Sequence, residues 1–120
     1  MVIGYYPGWD HGSVLEYMDE LKKDGQRKKA EAKLRGDLLS LQYTWPRPIG
    51  VEVKVMRGHE PLWELIREYQ SIAYRIFFCV KGQEIWLLHA IEKKKNKTPR
   101  GDISTASARM RNVLSGNVRR

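Results

Sequence analysis

Tyr74-Arg75-Ile76-Phe77-Phe78-Cys79-Val80, then Lys81-Gly82-Gln83, then Glu84-Ile85-Trp86-Leu87-Leu88-His89-Ala90-Ile91 is the stretch that decides the fold. Its first part is rich in aromatic and branched side chains, which suit the pleated surface of a strand. Its last part is an apolar run that has to be buried. The three residues between them leave room only for a tight connection, so the two runs read as neighbouring antiparallel strands. Upstream, residues 62–69 alternate. Trp63, Leu65, Arg67 and Tyr69 fall on one side, and Leu62, Glu64, Ile66 and Glu68 on the other. That adds a third strand to an antiparallel meander. Val51, Val53 and Val55 alternate with Glu52 and Lys54, a short edge strand or an extended loop.

Working outward, Val2 to Tyr6 is a short first strand that stops at Pro7-Gly8. Ser13 with Glu16 three residues on forms a capping-box pattern. Val14, Met18 and Leu21 then recur at helical spacing. Asp24-Gly25 breaks this helix. A second follows, with Ala30, Leu34, Leu38 and Leu41 on one stripe. Gly36 weakens it by about 1 kcal/mol relative to Ala. Thr98-Pro99 opens a last helix, Thr as cap and Pro at the first position. Its buried face is expected to carry Ile103, Ala106, Met110 and Leu114. The reading is a single α+β domain over residues 1–120, in the order β-α-α-β-β-β-α. It has an antiparallel sheet, two N-terminal helices on one face and a C-terminal helix. Residues 115–120 are expected to be loose.

The charge is lopsided. Of 22 Lys and Arg, nine lie in residues 93–120 with one acid, Asp102, so the whole net charge of +8 sits in that tail. Residues 1–92 carry equal numbers of each sign. Such asymmetry points to nucleic acid or an anionic surface, against the plainer reading of a solvated C-terminus. The single Cys79 lies in an apolar run and reads as a small buried hydrophobe. No apolar run approaches the roughly 20 residues needed to span a bilayer. No secretory signal is visible, so the expectation is a soluble cytoplasmic protein. His11, His59 and His89 are scattered and make no metal-ligand pattern, so neither a metal nor another cofactor is expected.

Several pieces form an ordered set. They are Trp63-Glu64-Leu65, Tyr74-Arg75-Ile76, Leu87-Leu88-His89 with Lys93-Lys94 four residues on, Lys97-Thr98-Pro99, and Ile103, Ala106, Arg109-Met110. This set resembles the phage-derived, HigB-like branch of the RelE toxin superfamily over residues 60–114. The chain departs from the usual pattern at Glu92, Lys95, Gly101 and Ser107. The resemblance implies a RelE-like fold and the toxin of a toxin–antitoxin pair. It implies a metal-independent endoribonuclease that cuts mRNA on the ribosome and so inhibits translation. The implied partner is a helix-turn-helix antitoxin, HigA-like.

Cleavage of RNA needs its 2′-hydroxyl oriented and deprotonated, and the phosphorane charge stabilised. Arg75, inside a core strand, reads as a phosphate clamp, as an ion pair with Glu64, or as a solvent-facing strand position. His89 reads as a general acid or base, or as a hydrogen-bonded core histidine. Lys93 and Lys94 complete the candidate catalytic set. Lys54, Arg57, Arg67, Lys95, Lys97, Arg100 and Arg109 are the candidate RNA contacts. Arg109 reads equally as a helix-surface charge. Trp63 and Trp86 read as core in preference to base-stacking platforms. Two rival functions use the same basic patch, a non-catalytic nucleic-acid-binding regulator and a phage interaction protein.

Overall fold

The structure is a computed structural model that describes residues 1–93 and 98–118. The chain forms β1 (Val2–Tyr5), α1 (Ser13–Lys23), α2 (Lys28–Thr44), β2 (Glu52–Val55), β3 (Trp63–Tyr69), β4 (Ile72–Lys81), β5 (Glu84–Lys93) and α3 (Arg100–Leu114). The five strands make one sheet in the order β1-β5-β4-β3-β2. The antiparallel meander of β3, β4 and β5 is its centre. Residues 51–55 resolve as the edge strand β2, antiparallel to β3. The sheet as a whole is mixed, because β1 lies parallel beside β5. A parallel neighbour needs a long connection, and here α1, α2 and the other three strands supply it.

Helices cover both faces. On one, Val14, Met18, Leu21, Ala30, Leu34, Leu38 and Leu41 of α1 and α2 pack on Leu65, Ile76, Phe78, Ile85 and Leu87. On the other, Ala106, Met110 and Val113 of α3 pack on Phe77, Cys79, Trp86 and Leu88. Each large apolar side chain buried here contributes about 1.5–3 kcal/mol. Trp86 is in the core and Trp63 packs on Phe78, in keeping with their reading as core. Leu114, expected on the buried face, is exposed and Val113 takes its place. The spacing 106, 110, 113 keeps to one helical face, whereas 114 drifts off it.

Both capping expectations need correction. The N-cap of α1 is Gly12, and Ser13 is already helical. The Ser13 hydroxyl instead accepts a hydrogen bond from Arg109 Nη1 at 3.1 Å. The N-cap of α3 is Pro99, with Arg100 as the first helical residue. Thr98 is drawn away by the buried carboxylate of Glu64.

One irregularity positions the candidate site. Phe77 pairs with His89 and Phe78 with Leu87, so β5 carries one extra residue, Leu88, opposite that step. This β-bulge puts Leu88 and His89 on the same face of the sheet, the face under α3. Leu88 packs into the α3 cluster, and the His89 ring stacks on Phe77 with centroids 6.0 Å apart.

Candidate active site on the α3 face

Strand partners point their side chains to the same face. By register Lys54 lies beside Glu64, Arg75 beside Ile91, and Lys93 beside Ala73, all on the face that α3 covers. At the centre is Glu64, fully buried. A buried carboxylate is costly unless charge and hydrogen bonds compensate it. Three groups do so. Arg75 Nη1 donates to Glu64 Oε1 at 3.1 Å, Thr98 Oγ1 donates to Oε2 at 2.7 Å, and Lys54 Nζ stands 3.8 Å from Oε1. Arg75 Nη1 also donates to the Thr98 hydroxyl at 3.2 Å.

This network forms the ion pair with Glu64 that the sequence offered as the alternative to a phosphate clamp at Arg75. The residue is only 2 % exposed, and its charge is balanced by Glu64. It fastens Thr98, two residues before α3, to the middle of the sheet.

His89 is placed differently. Its Nε2 lies 2.8 Å from Asp102 Oδ1 in the first turn of α3. Both side chains are partly exposed. One ring nitrogen is thus held by a carboxylate, and the other, Nδ1, has no partner among the described residues. A carboxylate on one nitrogen fixes ring orientation and stabilises the imidazolium. Asp102 was not among the residues singled out from sequence. Its signal was there, as the sole acid in a tail of nine cations.

Of the remaining candidates, Arg57 and Arg100 are exposed and line one cavity together with Met56, His59, Ile103 and Ser104. Lys93 is exposed at the end of β5. Lys94, Lys95 and Lys97 lie outside the described residues.

Two candidates are not brought to this site. Arg67 is on the opposite face, where it forms a forked ion pair with Asp37 of α2, Nε to Oδ2 being 2.8 Å. Hydrogen bonding to Asp37 raises the guanidinium pKa above its usual value. Arg109 faces β1 and α1. Its Nη1 donates to Leu88 O at 2.8 Å and to Ser13 Oγ, and its guanidinium sits over the Tyr6 ring. The Leu88 carbonyl belongs to the bulge, so Arg109 supports the irregularity that aims His89.

Among the described residues no group of three or more His, Cys, Asp or Glu is arranged to hold a metal ion, and no helix is long and apolar enough to cross a membrane.

The model of the family described as "Phage derived protein Gp49-like (DUF891)" matches residues 11–111, most of the chain. The chain belongs to the phage-derived Gp49-like family. This family is RelE-like and toxin-like in the broad sense. The Gp49-like match runs from the start of α1 to the last turn of α3 and includes Glu64, Arg75, His89 and Asp102. No curated protein and no solved structure matches the chain.

Proposed function

We propose that this Gp49-like chain is the toxin of a toxin–antitoxin pair in the HigB-like branch. It is an endoribonuclease that cuts mRNA on the ribosome in the cytoplasm and stops translation. A helix-turn-helix antitoxin of the HigA type holds it inactive. The observation that carries this reading is the His89–Asp102 contact on the same face as Arg57, Arg100, Lys54 and Lys93.

The chemistry follows from that arrangement. The RNA 2′-oxygen attacks its own phosphorus while its proton passes to the available nitrogen of His89. The bond from phosphorus to the 5′-oxygen then breaks, that oxygen takes a proton from water, and His89 gives its proton back to the solvent. The products are a 2′,3′-cyclic phosphate and a 5′-hydroxyl. No metal takes part in this scheme. Exposed guanidinium and ammonium groups stabilise the charge on the phosphorane. Asp102 keeps the imidazole oriented. The Glu64–Arg75–Thr98 network holds the first turn of α3, and with it Asp102, at a fixed height over the sheet.

The test is mapping of transcript 5′ ends after induction of the chain and of its His89→Ala variant. Defined cuts that disappear in the variant are the expected result. Growth arrest with intact transcripts would sink the nuclease reading and leave a nucleic-acid-binding regulator or interaction protein.

A further inference from the structure

A cavity of about 290 Å3 opens where the β2–β3 connection meets the start of α3. We propose that it is a mononucleotide subsite, taking one base and its phosphate from single-stranded RNA next to the linkage that His89 attacks. The RNA comes from the nuclease reading, on which this inference rests, but occupancy of the cavity can be tested without cleavage.

The lining suits a nucleotide at both ends. Arg57 and Arg100 come from different elements and present two guanidinium forks, which match phosphate oxygens in plane. The same flat groups lie well against a base. Met56 and Ile103, both half-buried, supply an apolar wall, and the Met thioether is polarizable. The His59 ring and the Ser104 hydroxyl offer donors and acceptors for a base edge. The volume is at the small end of ligand sites, so it fits a single nucleotide and excludes a peptide helix.

The wall is preformed. Met56 N–H donates to Leu62 O at 2.8 Å, His59 N–H to Met56 O at 2.9 Å, and Leu62 N–H to His59 O at 3.0 Å. Gly58 at φ 87 allows the bend. Glu60, the acid in this loop, accepts from Gly58 N–H at 3.0 Å. On α3, Asp102 lies between Arg100 and Ile103 but reaches to His89. One helical turn thus borders the cavity on one side and the His89–Asp102 pair on the other.

The test titrates the intact chain with each of the four ribonucleoside 5′-monophosphates, with ribose 5-phosphate and with inorganic phosphate, followed by backbone amide NMR shifts. We expect at least one nucleotide to bind about fivefold or more tighter than ribose 5-phosphate, the low end of base stacking on side chains. Shifts should centre on residues 56–59 and 100–104. Arg57→Ala and Arg100→Ala, both at exposed positions, should each weaken nucleotide binding by about fivefold or more. Met56→Ala should remove the advantage over ribose 5-phosphate. Equal binding of nucleotides and ribose 5-phosphate, or no shifts at these residues, overturns the proposal. Nucleotide binding here with uncut transcripts in induced cells would leave the subsite standing and remove the nuclease. Cut transcripts with an empty cavity would do the reverse.

Discussion

His89 Nε2 and Asp102 Oδ1 stand 2.8 Å apart, joining the middle of a central strand to the first turn of the last helix. Replacing His89 with Ala should lower transcript cleavage by about 100- to 10,000-fold, the usual range for a general acid–base group. Asp102→Asn keeps the side-chain size and should also lower it, through loss of the oriented imidazole. Denaturation midpoints of both variants separate chemistry from folding. Parent-like cleavage by His89→Ala would remove the residue from the mechanism.

The buried pair of Arg75 and Glu64 should behave as structure. Arg75→Met leaves Glu64 with Lys54 and Thr98 alone, and should destabilise the chain by about 3–5 kcal/mol in urea unfolding. Replacing both residues with Met should recover much of that loss. A single variant as stable as the parent would contradict the supporting role of the pair.

Arg67 and the cavity arginines should separate cleanly. Arg67→Ala strands Asp37 and should cost about 1.5–3 kcal/mol of stability, while leaving the salt dependence of RNA binding untouched. Arg57→Ala and Arg100→Ala should each reduce the log–log salt slope by about 0.7, the share of one phosphate contact on a single strand. A changed slope for Arg67→Ala would place RNA on the face covered by α1 and α2.

Alkaline pH should destabilise the fold. Burial pushes the Cys79 thiol up to about 12. Burial, then the hydrogen bond to Glu92, raises the Tyr17 hydroxyl above its usual value. The unfolded chain therefore loses these protons first, and stability falls as pH rises. The full contribution is present below about 8.5 for Cys79 and about 10 for Tyr17. Unfolding midpoints measured from pH 7 upward should decline from about pH 8.5, and less steeply in Cys79→Ala. Iodoacetamide should label Cys79 at pH 8 only after unfolding. Rapid labelling of the native chain would contradict the burial.

Much of the architecture is legible from local patterns. The alternation of residues 62–69 correctly sets Arg67 beside Trp63 and Leu65, on the side that α2 covers. Its partner was also visible, since Asp37 follows Leu34 by three on the apolar stripe of α2. The capping expectations missed because Ser13 and Thr98 have partners far away in sequence. A hydroxyl next to a buried Glu64 or to Arg109 bonds there, and the cap goes to a neighbour. The parallel placement of β1 was equally out of reach, because it depends on where two helices return the chain.

The candidate site was half legible. Arg57, Arg100, Lys54, Lys93 and His89 converge on one face, but the inward-facing Arg75 turns out to be engaged with Glu64. Nothing in a strand pattern says whether a buried cation meets a substrate or a carboxylate. Asp102 emerges only when α3 is laid across the sheet, and Arg109 only when the Leu88 carbonyl is seen to need a donor.

The single extra residue in β5 sets the phase of everything after it. With Leu88 kept and the strand pairing straight, Leu88 would take the place opposite Phe77, His89 would fall opposite Ile76 and turn inward toward the helix pair, and Ile91 would follow. Glu92 would leave Tyr17 and Arg27, and Lys93 would change sides. Loss of the bulge would therefore invert the last third of the strand without altering a functional side chain, making the pairing register here as stringent a requirement as residue identity.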